Sequence, residues 1–201
     1  MSKPKIGMIL STTRTGRFAD KVSAWLLELA AARRDLELEL VDLRDYPLPF
    51  FDEPLSPLWA PPKNPVAVRW TKTIDAFDGF VFVTAEYNHG VPAVLKNAID
   101  YAYREFVRKP ATYVGYGGVG AARAIEQLRL INIEQQMATL KSAVHIGGAD
   151  FIDLLVHGKS LADKPHLVPG VHAMLEELAW WTHALLQARS ERSDAANRRT
   201  A

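Results

Sequence analysis

Three short apolar segments of this chain each end in a polar or glycine-containing loop and are followed by residues with helical periodicity. They are KIGMIL at Lys5–Leu10, GFVFVT at Gly79–Thr84 and ATYVGY at Ala111–Tyr116. Unbroken apolar runs of this length are typical of parallel strands that are buried on both faces of a sheet. Because parallel strands must be joined by crossover connections, the pattern predicts an α/β fold with a doubly wound parallel sheet and helices on both faces.

Two further strands and a last helix complete the predicted domain. Leu36–Leu43 alternates apolar and acidic residues, as a strand near a sheet edge does, and Ser142–Ile146 is predicted as the fifth strand. Apolar residues at helical spacing from Val171 to Leu185 predict a final amphipathic helix. A chain of 201 residues fits one domain, which we expect over residues 1–189. Residues 190–201 turn polar and are predicted to form a disordered tail.

A proline-rich segment separates the second strand from the third. Residues 44–65 contain seven prolines, which neither a helix interior nor a central strand accommodates, so we expect a long surface loop. The loop also contains four aromatic residues, Tyr46, Phe50, Phe51 and Trp59. Long loops of this kind serve as binding lids or interface segments, and a loop packed on its own domain is the alternative. The sequence leaves the two open.

The composition excludes several classes of function. The chain has no cysteine, which excludes disulfides, thiolate catalysis, iron–sulfur clusters and cysteine zinc sites. Its 24 basic and 23 acidic side chains give a net charge of +1, so we expect no nucleic-acid or membrane partner. No apolar run approaches the roughly 20 residues that span a bilayer, and we expect a soluble, cytoplasmic protein.

The loop after the first strand reads STTRTGR at Ser11–Arg17 and precedes a helix. Free N–H groups give a helix N-terminus a partial positive charge, so two arginines there are unfavourable unless an anion lies between them. Hydroxyls, a glycine, backbone amides and the forks of Arg14 and Arg17 form a phosphate cradle at such a turn. An ordinary turn rich in serine and threonine, with solvated arginines, is the alternative.

The loop after the third strand reads EYNHG at Glu86–Gly90. Asn88 or Gly90 can cap the following helix, which begins near Pro92, but capping of that helix does not account for Glu86 and Tyr87. A carboxylate and a flat aromatic ring at a strand end suit a planar heterocycle. His89 has no second histidine at metal-ligand spacing, so we expect no metal.

The loop after the fourth strand reads GYGGVG at Gly115–Gly120 and matches the dinucleotide fingerprint literally. That fingerprint belongs to the first strand and requires an acidic residue at the end of the next one. Here the fourth strand is involved, and Ser142–Ile146 ends without a carboxylate. We therefore interpret the glycines as room for the backbone to approach a flat ligand, with a plain tight turn as the alternative.

Together, STTRTGRF, TAEYNHGVPAVLKNAID and YGGVGAARA followed by EQLR resemble the NADPH-dependent FMN reductase family over residues 5–147. The resemblance implies a flavodoxin-like fold, non-covalent FMN, and a homodimer or homotetramer with active sites at subunit contacts. It implies a phosphate site at Thr12, Thr13, Arg14, Arg17 and Phe18, a ribityl and ring site at Glu86, Tyr87, Asn88 and His89, and a ring-edge site at Tyr116, Gly117 and Gly118.

The chain departs from the family pattern at two positions. The family usually has Gly-Ser where this chain has Ser11-Thr12, which adds bulk to a tight loop and predicts altered FMN affinity. It usually has proline where this chain has Ala85, which loosens the backbone before Glu86.

The resemblance implies an enzyme that passes a hydride from NADPH or NADH through bound FMN to a quinone, free flavin or similar acceptor. No catalytic acid or base side chain is expected, because the cofactor carries the chemistry. One alternative is a non-enzymatic electron carrier of the same fold; such carriers are commonly acidic, whereas this chain is balanced. The other is a flavin-free interaction protein.

Overall fold

The computed structural model describes the backbone of residues 3–200 and the side chains of residues 3–191. Its centre is a sheet of five parallel strands in the order β2-β1-β3-β4-β5. The strands are β1 Lys5–Leu10, β2 Glu37–Asp42, β3 Gly79–Ala85, β4 Pro110–Tyr116 and β5 Ala138–Ile146. The predicted five-stranded doubly wound sheet is therefore confirmed. β3 and β4 are buried along their whole length, as their unbroken apolar runs indicate.

Helices cover both faces of the sheet. They are α1 Ala19–Ala30, α2 Pro65–Asp75, α3 Ala93–Asp100, α4 Ala122–Glu134, α5 Gly148–Leu155 and α6 Val168–Thr200. One hydrophobic cluster joins the sheet to α1, α5 and α6, and a second joins it to α2, α3 and α4. Within the part of the chain that the structure describes, none of these helices has the length and apolar character to cross a membrane.

Helices α2 and α5 were not predicted from the sequence, and β5 begins at Ala138, before its predicted start at Ser142. The start of α2 has a clear signal, because the Asn64 side chain accepts from the N–H groups of Val66 and Ala67 while Pro65 occupies the first turn. The high proline count before Asn64 obscured it. The backbone of residues 190–200 continues α6, but the side chains of 192–200 and residue 201 lie outside the described residues, so the domain boundary at 189 stays a prediction.

The proline-rich loop is anchored on its own domain and also presents apolar residues to solvent. Asn97 of α3 donates to Pro49 O at 2.7 Å and accepts from Phe51 N at 2.9 Å. The Phe51 ring packs edge-on against Tyr101. Phe50 and Trp59, in contrast, are 83% and 73% exposed. Part of this loop therefore packs on its own domain, while a role of its exposed residues as a lid or an interface stays a prediction.

The strand order also determines where a ligand can bind. The chain runs from β1 outward to β2 and then crosses back to β3 on the other side of β1. Where the winding reverses in this way, a crevice opens at the carboxyl ends of the two diverging strands. In this protein the crevice lies between the loops that follow β1 and β3.

Candidate functional site

A cleft of about 380 Å³ opens at this edge of the sheet, between the loops that follow β1, β3 and β4. We call these the first loop (Ser11–Phe18), the second loop (Glu86–Gly90) and the third loop (Gly117–Ala121). The predicted residues that line the cleft are Arg14, Arg17, Phe18, Glu86, Tyr87, Tyr116, Gly117 and Gly118. Thr12, Thr13, Asn88 and His89 are not among its lining residues. Phe151 and Leu155 of α5 also line the cleft and were not predicted from the sequence.

The first loop presents a row of open backbone N–H groups. Ser11 is anchored to β3, since its N–H and its hydroxyl both donate to Val83 O, at 3.0 and 2.7 Å. From Thr12 to Phe18, no backbone N–H donates to any group of the described residues. Among the side chains that the structure describes, none caps α1, which starts directly after the loop. Successive open amides beside a helix N-terminus form an anion-binding site.

The two arginines of the first loop have different environments. Arg14 is exposed and makes no ion pair within residues 3–191. The Arg17 side chain is only 1% exposed and is paired with Asp20 and Asp42. Of the two, Arg14 is the cation that is available to an anion in the cleft, although both were predicted to contact phosphate.

Aromatic side chains form one wall of the cleft. The Phe18 ring lies 5.2 Å from the Tyr116 ring and 5.3 Å from the Phe151 ring. The Tyr116 hydroxyl is 3.2 Å from Thr12 Oγ1. Burial raises the pKa of Tyr116 to about 12, so the phenol stays protonated at neutral pH. Thr12 therefore helps to position Tyr116, while Thr13 is exposed.

The second loop is a tight turn held in an uncommon backbone conformation. Tyr87 and Gly90 exchange N–H···O bonds of 3.1 and 3.0 Å. The two residues between them, Asn88 and His89, have φ of 50° and 66°, as in a type I′ turn. Asparagine tolerates such angles better than histidine, and each strained residue costs roughly 1–3 kcal/mol. Gln127 of α4 donates to His89 O at 2.9 Å and holds the turn in place.

Glu86 lines the cleft and is also hydrogen-bonded to the start of α4. Its carboxylate accepts from the backbone N–H groups of Arg123 and Ala124, at 3.0 and 3.3 Å, and pairs with the Arg123 guanidinium. Burial alone would raise the pKa of Glu86, but these hydrogen bonds outweigh it and hold the pKa below its ordinary value. Glu86 therefore caps α4. The helix that Glu86 caps is not the next one in the chain, which is why capping of α3 does not account for this residue.

Asn88 and Gly90 were predicted as possible caps of α3, and neither of them caps it. Pro92 occupies the N-cap position, and within the described part of the chain no side chain caps that helix. Asn88 and Gly90 instead belong to the strained turn, whose geometry requires φ above zero at its centre.

The glycines around the third loop have two functions. A Cβ on Gly115 would lie 2.2 Å from Gly120 O, and one on Gly120 would lie 2.7 Å from the Cβ of His145. These two glycines let neighbouring backbone segments pack together. Gly117 and Gly118, in contrast, face open space. The Gly117 N–H already donates to Ile146 O at 3.1 Å, whereas that of Gly118 has no partner among the described residues.

The structure also bears on the two departures from the family pattern. Ser11 is buried with an ordinary backbone φ, and its hydroxyl is hydrogen-bonded, so the loop accommodates a side chain there without strain. Ala85 is a buried residue at the end of β3. In the described part of the chain, no group of three or more histidine or acidic residues is arranged to hold a metal ion.

The same combination of fold and loops is found in known proteins. Residues 4–150 match the family model described as NADPH-dependent FMN reductase. The chain belongs to this family. Its cleft fits FMN, because the open amides of the first loop suit a phosphate, and Gly117 and Gly118 leave space beside the aromatic wall.

Individual relatives agree with the NADPH-dependent FMN reductase assignment. An NAD(P)H-dependent FMN reductase of Schizosaccharomyces pombe is 38% identical over 128 residues, which cover 63% of this chain but only 64% of that protein, slightly less than two thirds. A quinone reductase of Pseudomonas putida is 31% identical over 186 residues, covering 88% of this chain and 93% of that protein.

Solved structures show the same fold. A flavoenzyme NAD(P)H:(acceptor) oxidoreductase from Paracoccus denitrificans has a TM-score of 0.68, with 90% of this chain and 98% of that chain covered. Its sequence is 24% identical, so this similarity supports the architecture alone.

Proposed function

We propose that this protein binds FMN in the cleft and transfers a hydride from NADPH or NADH to a quinone or free flavin. The observation that carries the proposal is the first loop, whose backbone N–H groups from Thr12 to Phe18 are open beside the N-terminus of α1. A row of open donors at a strand-to-helix turn is suited to a phosphate, and it faces a cleft with an aromatic wall.

The residues of the cleft have separate roles in this proposal. The amides of the first loop and Arg14 hold the phosphate, and Phe18, Tyr116 and Phe151 shield one side from water. The N–H of Gly118 donates to the edge of the ring system, where it stabilises negative charge. The partly exposed Tyr87 lies at the opening. When bound, FMN supplies the hydride acceptor and donor chemistry.

The protein contributes orientation and hydrogen bonds, without a side-chain acid or base. Tyr116 is a buried titratable side chain of the cleft, and its pKa of about 12 keeps its proton in place at neutral pH. The carboxylate of Glu86 is occupied at the N-terminus of α4. Neither group is poised to exchange a proton near pH 7.

A quinone is our preferred acceptor. The relative from Pseudomonas putida that covers 88% of this chain is a quinone reductase. The cleft is lined by apolar and aromatic side chains as well as glycines, which suits a flat, largely apolar acceptor.

We also propose a homodimer or homotetramer. Large apolar side chains are exposed in the proline-rich loop and on α4, among them Phe50, Leu55, Trp59, Leu130 and Ile133. Large exposed apolar side chains are suited to a subunit contact. Light scattering at micromolar concentration gives the mass; a monomer would refute the proposal.

The test of the function is the visible absorption spectrum of the protein after reconstitution with FMN and desalting, recorded without oxygen. We expect retained flavin colour that bleaches on addition of NADPH and returns when a quinone is added. Colour that persists with NADPH would indicate an electron carrier reduced by a partner protein. Loss of all colour on desalting would indicate a flavin-free protein and refute the phosphate site.

A further inference from the structure

The Arg17 side chain, at the edge of the cleft, makes five hydrogen bonds to other residues of the protein. Its Nε and Nη2 donate to Asp20 Oδ1 at 2.8 and 2.6 Å, and Nη1 and Nη2 donate to the two carboxylate oxygens of Asp42 at 2.7 and 2.6 Å. Nη1 also donates to the carbonyl oxygen of Thr12. A guanidinium has five N–H groups, so all of them are occupied within the protein.

Asp42 is equally saturated. This residue ends β2, and its side chain is 13% exposed. Besides Arg17, Oδ1 accepts from the backbone N–H of Arg44 at 2.9 Å, and Oδ2 accepts from Arg44 Nε at 2.9 Å. The four acceptor positions of a carboxylate are thus filled.

These contacts join three segments that are distant in the sequence. Through Arg17, the carbonyl of Thr12 in the first loop is connected to the first turn of α1 at Asp20 and to the end of β2 at Asp42. Arg17 thus fixes the carbonyl of Thr12, and the backbone N–H groups that follow it, from Thr13 to Phe18, have no partner among the described residues.

We propose that Arg17 and Asp42 are positioning residues that hold the first loop open for the phosphate, and that Arg17 does not contact the phosphate itself. Asp42 would thereby determine affinity for the phosphate-bearing cofactor without touching it. This inference rests on the proposed binding of FMN.

The alternative is that Arg17 leaves Asp42 and turns to the phosphate. Such a movement would break five hydrogen bonds and leave a nearly buried carboxylate without its main partner. The exposed Arg14 supplies a cation without that loss.

The two explanations predict opposite results for Asp42→Asn. By simple electrostatics, removing a negative charge near a phosphate site strengthens anion binding, and it would also release Arg17 to reach the phosphate. If Asp42 positions the loop, the same change weakens binding, because the bidentate pair that fixes Arg17 is lost.

The experiment measures dissociation constants for FMN and for riboflavin, which lacks the phosphate, by quenching of flavin fluorescence. We expect Asp42→Asn and Arg17→Gln each to weaken FMN binding by about tenfold, with the double variant within about threefold of either, since the pair acts as a unit. Riboflavin binding should change by less than about twofold, a distinction that a general loss of structure would not produce.

The matched control is Glu39→Gln, on the same strand as Asp42; it removes an exposed ion pair with Lys5 of β1 and should leave FMN affinity unchanged. If Asp42→Asn does not fold, Arg17→Met combined with Asp42→Leu replaces the pair with apolar groups, and weaker FMN binding is again expected. Unchanged or tighter FMN binding in the Asp42 variants, or equal losses for both flavins, would overturn the inference. Failure of the unaltered protein to bind FMN would instead refute the proposed function.

Discussion

Glu86→Ala removes the carboxylate that caps α4, and we expect it to destabilise the protein before any cofactor is bound. The change leaves the N–H groups of Arg123 and Ala124 without their acceptor, and loss of a helix cap costs about 0.5–2 kcal/mol. The ion pair with the half-exposed Arg123 adds about 0–1 kcal/mol. The expected decrease in the free energy of unfolding is therefore about 2 kcal/mol, and about 1 kcal/mol for Glu86→Gln, which keeps one acceptor oxygen.

The assay is urea unfolding of the FMN-free protein, followed by tryptophan fluorescence at several pH values. Because the pKa of Glu86 is lower in the folded than in the unfolded state, its stabilisation is complete above the ordinary value of 4.5 and is lost as the pH falls through the folded value. The difference between the unaltered protein and Glu86→Gln should therefore shrink at acid pH.

The control is Glu126→Ala on α4 itself, where an exposed carboxylate pairs with Arg129. We expect a change within about 0.5 kcal/mol there. If Glu86→Gln left the FMN-free protein as stable as before and only weakened FMN binding, Glu86 would be a flavin ligand, and its assignment as a helix cap would be wrong.

Three further changes have defined outcomes. Gly120 has φ 63°, and a Cβ there would lie 2.7 Å from the Cβ of His145, so Gly120→Ala should lower the free energy of unfolding in urea by more than about 2 kcal/mol. Gly118 faces open space, and Gly118→Ala should change that free energy by no more than about 0.5 kcal/mol. Similar values for the two variants would refute the packing role of Gly120. Asn64→Ala should cost about 1 kcal/mol by the same method through loss of the α2 cap, and no loss would contradict that role. Burial lowers the pKa of Lys109 from 10.5 to about 8 in the folded protein. Between these two pH values the unfolded state binds more protons than the folded state, so the free energy of unfolding should rise with pH by up to about 3 kcal/mol. In Lys109→Met this rise should be absent. If the stability of the variant had the same pH dependence as that of the unaltered protein, the assignment of the rise to Lys109 would be wrong.

The fold was predictable because its main determinants are local. The apolar runs of β1, β3 and β4 specify buried parallel strands, and the polar loops that follow them mark the carboxyl edge of the sheet. The short helices α2 and α5 were missed, although Asn64-Pro65 is a recognisable start signal. The three loops were placed correctly at one cleft.

The roles of single side chains were less predictable, because their partners are distant in the chain. Arg17 is neutralised by Asp42, 25 positions away, and Glu86 caps a helix that begins after another strand. Nothing within either motif indicates these partners. For the pairing of Arg17, the available signal was the acidic residue Asp42 at the end of β2. The capping role of Glu86 is revealed only by the packing of α4 beside the second loop.

The central claim is that the open amides of the first loop bind the phosphate of FMN. The most direct measurement is a titration of the isotope-labelled, FMN-free protein with FMN, followed by the backbone amide signals in two-dimensional NMR. We predict the largest shifts for the amides from Thr12 to Phe18 and for Gly118, and smaller ones for riboflavin in the first loop. Shifts that instead centred on the hollow beside Lys3 and Arg33, at the opposite end of the sheet, would contradict the account.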